Sequence, residues 1–384
     1  VRRRVGDLST AAWQRSSRPV RSGKAAGMNF RSLDGQPFLD ESFPLPLDQP
    51  FTASQAQVEG VSRRQLTQLC MGAYLRQPIR GVYLSATAGD SPLLRAKCLS
   101  LVVPDDCVIC DRHAGWLLGA QMVLAPNEHL ELGRISIFRP SGRGRLRNHL
   151  SESGERNLVP SDVVEVHGLA VTSALRTAWD LGRVRWRESA LAGMDSMLRL
   201  QMFSRDEFLA GVERFRGERW VTTLRTLAPL ADGRSESPGE SVLRLRWIDC
   251  GLPTPEPQVE VWRDGVLIAR LDLANRDLRF AAEYDGAEWH SSDEQRAHDR
   301  LRRDEVARDR WLVEPFEAGM LSIAVLIAAL LLTAVQAQPV PALQPADESA
   351  ASNEIVRLPS SNASKQSFQI VAGHRYSTVR PVGR

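Results

Sequence analysis

The chain has 384 residues, 43% hydrophobic and 25% charged, ordinary values for a soluble globular protein with room for two or three domains. Its formal charge of +3 conceals an asymmetry: residues 1–27 carry seven Lys/Arg against Asp7, leaving the other 357 residues at −3, which excludes a global basic field for nucleic acid. Five scattered cysteines exclude a disulfide framework and fit a reducing cytoplasm, and Cys107-Val108-Ile109-Cys110, without nearby ligands at zinc spacing, reads as buried thiols.

Residues 1–27 are Arg/Ser/Ala/Gly-rich, lack periodicity and precede Met28. They read as disordered, with two alternatives: an over-extended start or a basic nucleic-acid arm. From Phe51 the pattern becomes helical. Thr52 or Ser54 can cap a short helix, Gly60 ends it, and Ser62 can cap a second over Arg63 to Ala73 with Leu66 and Leu69 facing a core. Two short strands follow, Tyr74 to Ile79 and Gly81 to Leu84, in the order of a winged helix-turn-helix. Arg63, Arg64, Gln65 and Gln68 are then the candidates for base contacts and Arg76 and Arg80 for phosphates, against the alternative of a solvated helical face.

The run Leu66-Thr-Gln-Leu-Cys-Met-Gly-Ala-Tyr-Leu-Arg-Gln-Pro-Ile-Arg-Gly-Val-Tyr-Leu84 resembles the N-terminal winged helix of the AbiEi-type antitoxin family, and residues 109–120 are similar to that family's next segment. The resemblance implies binding to double-stranded DNA, with a toxin as a possible partner.

Residues 126–233 read as connecting and supporting structure. Ile135 to Arg139 is a strand, Pro140 to Gly144 a basic turn, and Val163 to Val171 a hairpin through His167-Gly168. A helix capped at Thr172-Ser173 follows, where His167 is a turn residue and Asp180 a surface acid. The stretch 186–230 has its aromatics at core spacing, and Asp232-Gly233 with the serines after it marks a boundary.

Ser237-Pro238-Gly239-Glu240 has the form of a capping box, so Glu240 is explained either as a cap or as a ligand. A strand from Gln258 to Arg263 leads to Leu267–Leu273, which carries Asp272, and to Phe280–Asp285, which carries Glu283 and Asp285. Acids on adjoining strands need either arginine partners or a bound cation to offset their desolvation. Residues 240–316 resemble the DUF559 proteins, related to the very-short-patch-repair endonucleases of the PD-(D/E)xK superfamily, through Glu240, Asp272, Glu283-Tyr284-Asp285-Gly286, Trp289-His290, Arg303-Asp304 and Trp311-Leu312-Val313. The resemblance implies Mg²⁺ or Mn²⁺ at Glu240, Asp272 and Glu283, with Asp272, Glu283, Asp285 and His290 as the catalytic group. Asp285 departs from the superfamily pattern, where a Lys often stands. Arg300, Arg302 and Arg303, in a charged helix over 293–311, are further candidates for phosphates or for pairing within that helix.

The expected organisation is α+β: a disordered basic tail over 1–45, a winged helix over 46–90, a linking α/β region over 91–233, a restriction-endonuclease-like mixed sheet flanked by helices over 234–318, and an apolar segment with a disordered tail over 319–384. The expected function is metal-dependent hydrolysis of DNA phosphodiesters, and the alternative is a non-catalytic antitoxin-type regulator. The location expected is cytoplasmic, unless the charge-free run 320–337 inserts as a membrane anchor; the other readings of that run are an out-of-frame or fused end, which is preferred, and a buried helix.

Overall fold

Two capping boxes open the described part of the chain, which in this computed structural model comprises residues 37–125, 128–146, 150–286, 302 and 304–317. Helix α1 (Ala53–Val58) starts at Thr52 and α2 (Arg63–Met71) at Ser62. In each, the cap hydroxyl accepts from the backbone N–H three residues on, while Gln55 or Gln65 reaches back to the cap. Gly60, at φ 84°, makes the turn between them. Leu66 and Leu69 bury against Phe51, Ala56, Val61 and Leu75, so the spacing expected of a core-facing helix is observed. The strands β1 (Phe51–Thr52), β2 (Leu75–Ile79) and β3 (Val82–Ser85) form an antiparallel sheet in the order β1-β3-β2, with Gly81 at φ 85° in the tight turn.

Beyond α3 (Pro92–Ser100), β4 (Val108–Ile109), α4 (Asp111–Leu118), β5 (Ile135–Pro140), β6 (Ser151–Arg156), β7 (Val163–Val166) and β8 (Leu169–Thr172) build a mixed sheet ordered β6-β5-β4-β8-β7. The β7–β8 hairpin turns through His167 and Gly168, both at positive φ, as two-residue hairpin loops require. Ser173 caps α5 (Ala174–Gly182), and α6 (Arg187–Arg199), α7 (Arg205–Ala210) and α8 (Val221–Leu227) enclose a core of Trp179, Met194, Met197, Phe208 and Leu224. Cys107 and Cys110 are free and buried.

Asp180 is not the surface acid expected from its helix position. Its side chain is 3% exposed and pairs with Arg156 at 3.0 Å and Arg176 at 2.9 Å. Arg176 also pairs with Asp162, which pairs in turn with Arg214, while Arg156 pairs with Asp111 at 2.6 Å. This chain of charges joins the five-stranded sheet to the helices. Removing one member would leave a buried charge uncompensated, which typically costs 3–5 kcal/mol.

The last part runs helix, three antiparallel strands, helical turn, strand. Helix α9 (Pro238–Asp249) precedes β9 (Glu256–Arg263), β10 (Val266–Asn275) and β11 (Phe280–Asp285), and β12 (Leu312–Glu317) returns parallel to β11. The sheet order is β12-β11-β10-β9. One face packs Leu273, Phe280, Ala282 and Phe316 under Leu243 and Trp247 of α9; the other packs Val259, Val261, Leu271 and Ala281 under Val306 and Trp311. Leu245 of α9 enters the helical core instead, so α9 belongs to both. The chain is therefore an α+β fold of helices and mixed sheets. No helix among the described residues is long and apolar enough to cross a membrane. Residues 1–27 and 320–337 lie outside the described residues.

Candidate active site on the C-terminal sheet

Glu240 owes its position to the start of α9. Ser237 Oγ accepts from the Glu240 N–H at 3.1 Å and Pro238 fills the first turn. The expected capping box is only half made: the Glu240 carboxylate accepts from the N–H of Glu236, one residue before the cap, and from Gln258 Nε2, each at 2.9 Å. Two contacts fix this turn. Asp195 on α6, wholly buried, accepts from Ser241 Oγ at 2.7 Å and from the Asp232 N–H at 2.8 Å, and it pairs with Arg244. Gly239 lies against Tyr284, where a Cβ would stand 2.0 Å from the ring. A residue with any side chain there would push α9 off β11.

Asp272 sits where the strand pattern breaks. Residues two apart on a strand should share a face, yet Leu271 joins the cluster beneath the 304–308 helical turn and Leu273 the cluster beneath α9. On β9 the register places Gln258 in the same row, and Gln258 has a left-handed φ of 56°. Non-glycine residues rarely adopt that conformation, and it concentrates at functional sites. Asp272 Oδ2 accepts from the Tyr284 N–H at 2.9 Å, which holds the carboxylate between β10 and β11.

Burial pushes the carboxyls of Glu240 and Asp272 above their usual range. The charge of Asp272 adds to the rise at Glu240, and hydrogen bonds from Glu236, Tyr284 and Gln258 only partly oppose it. Neither acid has an ion pair among the described residues. Glu283, by contrast, pairs with Arg302, and Asp285 is exposed at the end of β11. Of the two ways to settle strand acids, arginine pairing therefore applies to Glu283. Among the described residues, no three of His, Cys, Asp and Glu are grouped closely enough to hold a metal. His290, Arg300 and Arg303 lie outside the described residues.

Gln258 was not singled out in the sequence. Its Oε1 is buried without a hydrogen-bond partner. Its Nε2 touches Glu240 and its row holds Asp272, so the three side chains offer hard oxygens, two of them acidic, of the kind a divalent cation such as Mg²⁺ takes. A Gln at the start of a strand gives no signal by itself; only its register with Asp272 does.

At the other end of the chain, Arg63, Arg64, Gln68 and Arg80 are exposed. Gln65 is committed to the Ser62 cap, its Oε1 accepting from the Ser62 N–H at 2.8 Å, and Arg76 Nη2 donates to the Ala88 carbonyl at 3.0 Å. Burial, and after it Cys70, push the Tyr83 hydroxyl on β3 up, and Arg63 at the start of α2 acts against them.

No protein-family profile matches the chain. Two relatives are each 38% identical to it over 150 residues, 39% of this chain and 55% of the relative. Both are uncharacterized proteins of Mycobacterium tuberculosis, one from strain CDC 1551 / Oshkosh and one from strain H37Rv. The chain spans about half the length of the curated relatives it matches.

Proposed function

We propose that the protein binds double-stranded DNA through α1, α2 and the β2–β3 hairpin and hydrolyses its phosphodiester bonds with a divalent cation held at the C-terminal sheet. The observation that carries the proposal is the meeting of buried Glu240 and half-buried Asp272, neither with an ion pair among the described residues, beside the orphaned Gln258 oxygen. The order helix, strand, hairpin with acids, then a helical turn supports it, because that is the order of a restriction-endonuclease-like core.

Glu240, Asp272 and Gln258 would hold the cation, which when bound supplies a water of lowered pKa and offsets charge on the phosphate. Asp272 is kept in place by the Tyr284 N–H, and Glu240 by the Glu236 N–H and Gln258. Arg302, paired with Glu283, puts a cation on the same sheet where Asp285 replaces the Lys of the superfamily pattern. The winged-helix part of the proposal rests on the two capped helices, the hairpin, and the exposed Arg63, Arg64 and Arg80. The regulator alternative is favoured by one observation, the engagement of Glu283 by Arg302, which leaves two acids rather than three for a cation.

Supercoiled plasmid incubated with the full chain in Mg²⁺ or in EDTA tests the proposal. Nicking in Mg²⁺ that is lost in EDTA and in Asp272→Ala is expected. Equal behaviour of wild type and Asp272→Ala would leave the regulator.

A further inference from the structure

The helical region between the two proposed DNA-handling parts carries a pair of matching surface features. Trp186 is 64% exposed and Trp220 is 37% exposed. Each follows an arginine stacked on its own ring: the Arg185 guanidinium lies 5.0 Å from the Trp186 ring centre, and that of Arg219 lies 5.1 Å from that of Trp220. The Arg183–Glu218 ion pair, at 2.6 Å, fastens the two segments together just before each Arg-Trp dipeptide.

The charges around them sharpen the contrast. Arg183, Arg187 and Arg246 each have a carboxylate partner, in Glu218, Asp249 and Glu188. Arg185, Arg216 and Arg219 have none among the described residues, and all three are exposed. Trp220 also adopts φ 62°, a conformation in which a bulky residue is an outlier. The fold keeps a large indole at an exposed position where glycine would cost less.

Exposed aromatic faces interleaved with uncompensated cations are what a single strand of nucleic acid requires: bases stack on the rings and phosphates meet the arginines. Protein interfaces are also rich in Trp and Arg, but around a desolvated apolar centre, whereas here three exposed arginines without carboxylate partners among the described residues stand with the two rings. We propose that Trp186, Trp220, Arg185, Arg216 and Arg219 form a binding platform for single-stranded nucleic acid, separate from the duplex surface of α2 and from the carboxylates of the C-terminal sheet. It does not rest on the hydrolytic activity.

Fluorescence anisotropy of labelled dT20, rU20 and a 20-base-pair duplex, titrated with the full chain in EDTA, tests it. Trp186→Ala and Trp220→Gly are each expected to weaken binding of dT20 and rU20 roughly tenfold, with duplex affinity unchanged. Trp186→Phe should stay within about threefold, because the ring remains. Trp220→Gly suits the backbone at φ 62°, so thermal melting at or above the wild-type temperature shows that the loss is not unfolding. Unchanged dT20 and rU20 binding in both Trp186→Ala and Trp220→Gly, or an equal loss for the duplex, would overturn the platform. Plasmid nicking by the same variants reports on the hydrolytic proposal separately.

Discussion

Gln258 joins Glu240 to the row of Asp272: its Nε2 donates to Glu240 Oε2 at 2.9 Å, while its register on β9 places it opposite Asp272 on β10. Both carboxyls are raised, chiefly by burial. A raised carboxyl means that the folded state binds its proton more tightly than the unfolded state does. The contribution of these two groups to stability is therefore greatest below the ordinary carboxylate range and falls as pH rises from that range through the raised values. At neutral pH Asp272→Asn should melt higher than wild type in EDTA. Mg²⁺ should raise the wild-type melting temperature, by about 2.7 kcal/mol of stability at a hundredfold excess over Kd, and leave Asp272→Asn unmoved. Differential scanning fluorimetry across pH, with Mg²⁺ or EDTA, reads both effects.

Asp195 and Arg244 hold α9 to α6 with side chains 0% and 3% exposed. Asp195→Ala leaves the arginine buried and unpaired and should cost about 3–5 kcal/mol in urea unfolding. Replacing both, Asp195→Leu with Arg244→Met, should be milder by the part owed to the unpaired arginine, while Ser241 Oγ and the Asp232 N–H still lose their acceptor. A similar loss in the single and double variants would contradict the assignment.

Gln65 and Arg63 stand two residues apart and should behave differently. Gln65→Ala removes the return half of a capping box and should cost about 1 kcal/mol of stability with little change in duplex affinity. Arg63→Ala with Arg64→Ala should leave stability alone, weaken duplex binding, and flatten the dependence of log K on log salt by about 2. Gel shifts at several salt concentrations, beside thermal melts, separate the two.

Gly239→Ala places a methyl group 2.0 Å from the Tyr284 ring. Overpacking of this kind typically costs about 1–3 kcal/mol, and Tyr284→Ala in the same chain should recover part of it. Because Glu240 is the next residue, the nicking rate should fall more than the stability change explains. A rate that tracks only the folded fraction would show that α9 tolerates the shift.

What was legible in the sequence was local. Thr52, Ser62, Ser173 and Ser237 announce their helices because a cap acts within three residues, and His167-Gly168 announces its hairpin because only positive φ closes it. Asp180 misled because its partner Arg156 comes from β6 and no helical spacing points there, although Arg176, four residues before it, is at pairing distance. Glu240 and Asp272 were visible as acids, but their shared partner Gln258 was not. It becomes significant only through strand register and a backbone angle. The exposure of Trp186 and Trp220 likewise ran against a spacing typical of core aromatics.

Strand β12 completes the sheet beside β11 and, of its four strands, is the last in chain order to leave the ribosome. Until Leu312–Glu317 arrives, β11 presents the unpaired edge of Phe280-Ala-Ala-Glu-Tyr-Asp285, a ready template for another chain. A polypeptide ending before Leu312 would carry both candidate acids and leave that edge open. Aggregation is the outcome such an edge favours.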